Sequence, residues 1–153
     1  MGEGLLINLG CGLDILPGWV NVDASPGLGP GVEVWDLDEL PWPFEDGTAA
    51  KIRGIDIFEH VWNHTGFMTE CHRILAPGGL LRLQTTWIES SDSFTDPDHT
   101  CHPTPQTFDF WIPGNMLYER QNVTKGGVSF LRRKVARNPA TGQMDVELVK
   151  PGA

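Results

Sequence analysis

Hydrophobic and polar positions along the chain fall into short apolar runs separated by turn-forming residues. Four of these runs have the length and composition of strands buried in a parallel sheet. They lie at residues 5–9, 19–23, 32–36 and 51–57. Each run ends in or beside a glycine or an aspartate. We therefore predict four strands with polar groups near their carboxyl ends.

A helical periodicity follows the fourth run. Between Thr65 and Leu75 the apolar residues recur at positions i, i+1, i+4, i+7 and i+8, which form one face of a helix. Thr65 is expected to cap the start of this helix. The sequence Pro77-Gly78-Gly79 is expected to end it. A fifth strand is predicted over residues 80–86.

The remaining pattern predicts a short helix near 105–111 and a terminal hairpin with arms at 128–137 and 144–150. Alternating parallel strands and crossovers that close on a hairpin indicate an α/β fold with a doubly wound, mostly parallel sheet. Segments 10–19 and 24–31 are short for crossover units, which need about 10–12 residues or more. We therefore expect reduced helices between the early strands.

Length and composition predict one globular domain over residues 1–153, with no span across a membrane. The first residues lack the basic segment of a signal peptide, so a cytoplasmic location is expected. Without helices between the first strands, an apolar face of the sheet would be exposed to solvent. Because such a face is unusual on a monomer, we expect the chain to form a homodimer.

The formal net charge of −9 argues against nucleic acid as a partner, since phosphate groups would be repelled. One basic cluster stands apart, at Arg132, Arg133, Lys134 and Arg137. It is most simply the solvated face of a hairpin strand. A local contact with phosphate is the alternative interpretation.

Polar and glycine residues stand at each predicted strand end, where open α/β sheets bind ligands. Gly10-Cys11-Gly12 follows the first strand and would let a ligand approach the backbone. Asp23 ends the second strand, where a carboxylate can accept hydrogen bonds from both hydroxyls of a ribose. Asp36 and Leu37 end the third strand and suit an adenine ring, and Asp56 ends the fourth.

Together these segments resemble class I S-adenosylmethionine-dependent methyltransferases. The resemblance covers residues 5–87, and its most specific part is Arg73-Ile74-Leu75-Ala76-Pro77-Gly78-Gly79. It implies a Rossmann-like fold, a methyltransferase activity and S-adenosylmethionine as cofactor.

The resemblance also implies roles for individual residues. Gly10 and Gly12 would pass beneath the methionine part of the cofactor, with Cys11 between them. Asp23 would hold the ribose, Asp36 and Leu37 would bracket the adenine, and the backbone carbonyl of Asp56 would face the amino group. The sequence departs from the family pattern at Asn8, where an acid is usual, and at Asp14, where a third glycine is usual. Asn8 can still orient the glycine turn through hydrogen bonds.

Histidine is the usual base at neutral pH, and two histidines are candidates for a catalytic role. His99 lies in a polar loop beyond the fifth strand, where Asp96 or Asp98 could orient it. Asp96-Pro97-Asp98-His99 could instead simply build a turn. His60 is the second candidate, and it could equally help to open a helix.

No metal site is predicted. His99, Cys101 and His102, together with Asp96, match none of the usual zinc spacings.

We expect methyl transfer to an oxygen or nitrogen atom of a small molecule, a sugar or a peptide. The alternative is a module that binds the cofactor without catalysis, or a subunit that needs a partner. A nicotinamide-dependent enzyme is disfavoured, because Ile15 occupies the place of the third glycine in a dinucleotide turn.

Overall fold

The computed structural model describes residues 4–122 and 127–152. They contain a seven-stranded sheet with the order β3-β2-β1-β4-β5-β7-β6. The strands are β1 Leu5–Leu9, β2 Val20–Asp23, β3 Val32–Val34, β4 Ala49–Ile55, β5 Leu75–Thr85, β6 Leu131–Arg137 and β7 Met144–Val149. The first five strands pair in parallel, and β7 runs antiparallel to both β5 and β6. The predicted doubly wound sheet with a terminal hairpin is confirmed.

The early crossovers are loops, as predicted. Segments 10–19, 24–31 and 35–48 connect the first four strands without a helix. A groove of about 670 Å³ lies at the amino ends of β1 and β2. The groove is lined by Gly4, Leu5, Leu6, Gly18, Trp19, Val20 and Ala50.

Helix α1 spans His64–Ile74 and buries Phe67, Met68, Cys71 and Ile74 in the hydrophobic core. The predicted cap at Thr65 is wrong: the side chain of Asn63 accepts the N–H of Gly66 at 2.8 Å. Asparagine is at least as good a cap as threonine, and here it precedes the first helical turn.

Strand β5 begins at Leu75, directly after α1, and not at residue 80 as predicted. Leu75 pairs with Ala49, and the register then shifts before Lys51 pairs with Leu80. Gly78 has a φ of +79°, and its N–H donates to the carbonyl of Lys150 at 2.9 Å. The proline–glycine segment therefore bulges within the sheet, where neighbouring strands satisfy its backbone groups.

Between β5 and β6 the described residues form three further helical segments: α2 Asp92–Thr95, a 3₁₀ helix over Pro105–Trp111 that confirms the predicted short helix, and α3 Met116–Asn122. Phe108 and Trp111 of the 3₁₀ helix pack against Phe58, which belongs to a 3₁₀ turn over Phe58–His60. The loop after β5 is thereby held over the carboxyl end of β4. No helix in the described part of the chain is long and apolar enough to cross a membrane.

Three of the four basic residues of β6 form ion pairs with acidic residues in the described part of the chain, and Arg137 is the fourth. Lys134 lies 2.8 Å from Asp145, and Arg133 lies 3.4 Å from Glu147. Arg132 pairs with Asp109. These pairs favour the interpretation of the cluster as a hairpin face whose charges are balanced locally.

Candidate functional site

The turn after β1 brings bare backbone to the carboxyl end of the sheet. Gly10 has a φ of +58° and Gly12 a φ of +50°, values that favour glycine. A Cβ on Gly10 would lie 2.6 Å from the side chain of Ile57, whereas a Cβ on Gly12 would meet no atom within 4 Å. Gly10 is therefore needed for packing, and Gly12 faces open space.

Asn8 braces this turn from behind, through hydrogen bonds to its backbone and to a neighbouring strand. Its side-chain amide donates to the carbonyl of Asp14 at 2.8 Å and to Oδ1 of Asn21 at 3.0 Å. Its own Oδ1 accepts from Arg53 at 2.8 Å. Asn21 is oriented in turn because its Oδ1 accepts the N–H of Leu16. Asn8 thus acts on the turn through hydrogen bonds that need an amide donor.

Asn8→Asp introduces the acid that the family usually has at this position, and it is expected to destabilise this protein. The new carboxylate would face two acceptors, the carbonyl of Asp14 and Oδ1 of Asn21, and attraction to Arg53 offsets only part of that loss. We expect the free energy of unfolding to fall by about 1–2 kcal/mol at neutral pH, as measured by urea denaturation.

Asn63→Asp is the matched control, because the Asn63 side chain accepts the N–H of Gly66 at the start of α1. Aspartate caps helices as well as asparagine does, so this variant should unfold like the parent. Equal stability of Asn8→Asp and the parent would contradict the role of the Asn8 amide.

Asp23 joins the second strand to the glycine turn. Its Oδ2 accepts the N–H of Gly12 at 2.8 Å, and its Oδ1 accepts the N–H of Ser25 at 2.8 Å. Burial opposes ionisation, but the hydrogen bonds from Ser25 and Gly12 outweigh it and lower the pKa of the Asp23 carboxyl. A carboxylate oxygen has two lone pairs, so each can still accept a hydroxyl.

Asp23 lies on the wall of a cavity of about 190 Å³ at the carboxyl ends of β1, β2 and β4. The cavity is lined by Gly10, Asp23, Ala24, Trp35, Asp36, Leu37, Asp38, Ile57, His60 and Val61. We call it the first cavity. The predicted residues Gly10, Asp23, Asp36 and Leu37 meet there although they come from separate segments.

Four other residues predicted to bind the cofactor are not among those that line the first cavity: Asn8, Cys11, Gly12 and Asp56. Cys11 is buried, and burial together with the nearby Asp23 charge raises the pKa of its thiol. Asp56 has an unusual φ of +52°, and its carboxylate accepts from the side-chain amide of Gln143 at 3.0 Å. The Asp56 side chain points into a neighbouring cavity.

This second cavity has a volume of about 500 Å³. It is lined by Asp56, Glu59, His60, Thr86, Asp92, Thr95, Asp96, His99 and Gln143. His60 lines both cavities and marks where they adjoin. Acidic groups predominate, and neither lysine nor arginine is among the described residues that line it. The second cavity therefore favours neutral or cationic ligands over anionic ones.

Both predicted catalytic histidines belong to the second cavity. Nδ1 of His99 lies 3.0 Å from the carbonyl oxygen of Ser93, and its Nε2 lies 3.7 Å from Oδ2 of Asp96. The rings of His60 and His99 pack edge to face, with 4.7 Å between their centroids. The fold thus unites two candidates that are far apart in the sequence.

The sequence did not single out Glu59 and Thr86 as site residues. Glu59 is buried, its Oε2 accepts the hydroxyl of Thr85 at 2.8 Å, and burial raises the pKa of its carboxyl. Thr86 is 3% exposed, and its hydroxyl oxygen has no hydrogen-bond partner in the described part of the chain. A buried hydroxyl without a partner on a cavity wall indicates a place for a polar ligand.

Trp35 and Asp38 are further lining residues that the pattern did not identify as such. Trp35 directly follows β3 and precedes Asp36, and this position at a strand end could have identified it as a lining residue. Asp38 accepts the backbone N–H groups of Trp62 and Asn63 at 2.9 Å, contacts that no local pattern reveals.

Residues 8–83 match the profile of a protein family described as a methyltransferase domain. A probable S-adenosylmethionine-dependent methyltransferase of Mycolicibacterium smegmatis is 33% identical over 69 residues, which is 42% of this chain and 26% of that protein. One of Mycobacterium tuberculosis is 31% identical over 75 residues, which is 46% of this chain and 27% of that protein. The matched region thus spans about a quarter of these curated relatives.

Solved structures share the fold over nearly the whole chain. An S-adenosylmethionine-dependent methyltransferase from Mesorhizobium loti superposes with a TM-score of 0.64 at 15% identity, covering 97% of this chain and 91% of that one. A methyltransferase of Haloferax volcanii, solved in complex with the Trm112 methyltransferase activator, gives a TM-score of 0.68 at 13% identity, covering 97% and 83%. At such identities the likeness concerns the fold.

Proposed function

This chain belongs to the class I S-adenosylmethionine-dependent methyltransferases, and from that premise we propose that it transfers a methyl group to an oxygen or nitrogen atom of a small molecule, a sugar or a peptide. The observation that carries the proposal is the pair of adjoining cavities that share His60. A transferase of this kind must hold donor and acceptor side by side.

The residues of the first cavity, together with the glycine turn after β1, fit the cofactor. Gly12 leaves open space beside the turn, where a side chain would otherwise project. Asp23 is ionised and retains lone pairs for ribose hydroxyls. Leu37 and Trp35 offer apolar surface to a flat base, and Asp36 stands beside them as an acceptor for its amino group. Bound there, S-adenosylmethionine supplies a methyl group on a positively charged sulfur that is open to in-line displacement.

The second cavity is the proposed acceptor site, and its chain groups orient and deprotonate the acceptor. Because the carbonyl of Ser93 can only accept, Nδ1 of His99 carries a proton, and in the neutral imidazole the lone pair is on Nε2. That nitrogen can take the proton of an acceptor hydroxyl or amine. The free Thr86 oxygen can hold the acceptor by a hydrogen bond. The acidic lining disfavours nucleic acid and other anionic acceptors.

Turnover tests this proposal. The protein is incubated with the cofactor and a panel of neutral or cationic hydroxyl and amine compounds, and S-adenosylhomocysteine is quantified. We expect product with at least one class, inhibition by added S-adenosylhomocysteine, and a fall in kcat of roughly a hundredfold or more in His99→Asn at unchanged cofactor affinity.

His72→Asn is the control, since His72 lies on α1 against Phe130, away from both cavities. Its kcat should equal that of the parent. Cofactor binding without product from any acceptor would overturn the catalytic part of the proposal and leave a binding module.

A subunit that needs a partner is the second candidate. The Haloferax volcanii neighbour was solved with an activator, and the groove beside Leu6 and Trp19 leaves apolar surface uncovered here. On this candidate the chain binds the cofactor alone but turns over only with a partner. The cytoplasmic location and the homodimer stay predictions.

A further inference from the structure

His60, Asp96 and His99 form a cluster, and of these three residues the proposed reaction requires only His99. Each offers one potential ligand atom, and these atoms lie within 4.8 Å of one another. Two imidazoles and one carboxylate are a ligand set that proteins use for zinc and for non-haem iron, with coordination positions left open. We propose that this cluster, in the second cavity, binds a first-row divalent metal ion such as Zn²⁺.

The hydrogen bonds of His99 prepare it to act as a ligand. Its side chain is 6% exposed, and its Nδ1–H donates to the carbonyl of Ser93 at 3.0 Å. Metal-binding histidines commonly donate their second nitrogen to a backbone carbonyl in this way. The remaining Nε2 lone pair is aimed toward the carboxylate of Asp96. In the neutral imidazole this lone pair lies 3.7 Å from Oδ2 of Asp96, close enough for one metal ion to contact both atoms.

The turn at Asp96 supplies the matching carboxylate. Oδ1 of Asp96 accepts the N–H of Asp98 at 2.9 Å, which leaves Oδ2 toward the ring. Oδ2 lies 3.7 Å from Nε2 of His99. Two atoms each about 2.1 Å from a tetrahedral ion lie about 3.4 Å apart. A small shift therefore closes the pair around an ion.

His60 completes the set from another element. It ends the 3₁₀ turn after β4, and its ring has no hydrogen-bond partner among the described residues, so its nitrogens are available to an ion. Asp56 and Asp92 line the same cavity and add negative potential that attracts cations. Cys101 and His102, which the sequence places beside His99, do not belong to the cluster.

The ion would hold an oxygen of the acceptor, and this consequence rests on the proposed function. On coordination the acceptor hydroxyl loses its proton to solvent more readily, as water does on zinc. In the loaded protein Nε2 of His99 is a ligand and not the base. Metal binding itself does not depend on the cofactor or on methyl transfer.

Cobalt substitution provides the test. Chelator-treated protein is titrated with Co²⁺ without cofactor, and its visible absorption is followed, with competition by Zn²⁺. We expect one equivalent to bind, and the affinity to fall at least tenfold in His60→Ala, Asp96→Asn and His99→Asn. His72→Asn should bind like the parent, and thermal unfolding should show that each variant is folded.

Asp23→Ala separates this proposal from the proposed function. It should lose the cofactor and still bind Co²⁺, because Asp23 lies in the first cavity. Absence of stoichiometric Co²⁺ binding by the parent would overturn the proposal. Equal Co²⁺ affinity in the parent and the folded cluster variants would overturn it as well.

Discussion

Asp23→Ala is expected to weaken binding of S-adenosylmethionine by at least a hundredfold. The substitution removes the acceptors that we assign to the ribose hydroxyls, and it also releases the N–H groups of Gly12 and Ser25 that now donate to the carboxylate. Hydrogen bonds to a charged group contribute about 1.5–3 kcal/mol each, and a hundredfold change in Kd corresponds to about 2.7 kcal/mol. Calorimetric titration of S-adenosylmethionine and S-adenosylhomocysteine measures the effect.

Glu33→Ala is the matched control, since Glu33 is an exposed acid on the neighbouring strand β3 and does not line the first cavity. It should bind both compounds like the parent. Asp23→Asn separates the two roles of the carboxylate, because asparagine keeps one acceptor for the turn. Parent-like affinity in Asp23→Ala would show that the cofactor is held elsewhere.

Glu70→Gln is expected to give the largest loss of stability, about 2–4 kcal/mol. The buried Glu70 carboxylate accepts the N–H of Trp42 at 2.7 Å and two N–H groups of Arg73 at 2.7 and 2.8 Å. Arg73 in turn donates to the carbonyls of Trp42 and Phe44. This network joins the β3–β4 loop to α1. In Glu70→Gln the side-chain NH₂ group would face the N–H donors of Trp42 and Arg73.

The effect should depend on pH. Burial opposes ionisation of Glu70, but the hydrogen bonds from Arg73 and Trp42 outweigh it and lower its pKa below the ordinary value of 4.5. A lowered pKa stabilises the folded state above the pKa of the unfolded chain, and that stabilisation is lost as the pH falls through the folded value. The difference in the free energy of unfolding between the parent and Glu70→Gln should therefore be largest at neutral pH and decrease in acid.

Urea denaturation at several pH values measures both effects. Glu45→Gln is the control, because Glu45 is exposed on the same loop. It should unfold like the parent throughout. A pH-independent difference for Glu70→Gln would contradict the ionised network, and no difference would contradict its structural role.

The elements that could be predicted are those whose pattern is local. Alternation and apolar runs identified the strands, and the spacing of Phe67, Cys71 and Ile74 identified α1, because periodicity follows from backbone geometry within a few residues. Gly10, Asp23 and Asp36 could be placed at one edge for a similar reason. Parallel strands end on the same side of a sheet, so residues at their carboxyl ends converge.

Other features depend on contacts between distant segments. Strand β5 starts at Leu75 because Ala49 offers it a partner, although Pro77 and Gly78 read locally as a stop. The cap of α1 moved to Asn63 because Asp38 holds the preceding backbone N–H groups. Pairing across the sheet and caps from another loop leave no trace in a short window of sequence.

The two cavities show the same division. The residues of the first cavity follow strand ends, so each could be identified from the sequence. The sequence also predicted that Asn8 supports the glycine turn, but not that Arg53, 45 positions away, donates to its side chain. The second cavity depends on the loop after β5. Packing of Phe108 in this loop against Phe58, which follows β4, holds the loop over the site. His60 thereby meets His99, a juxtaposition created by aromatic packing between segments and not by any spacing along the chain.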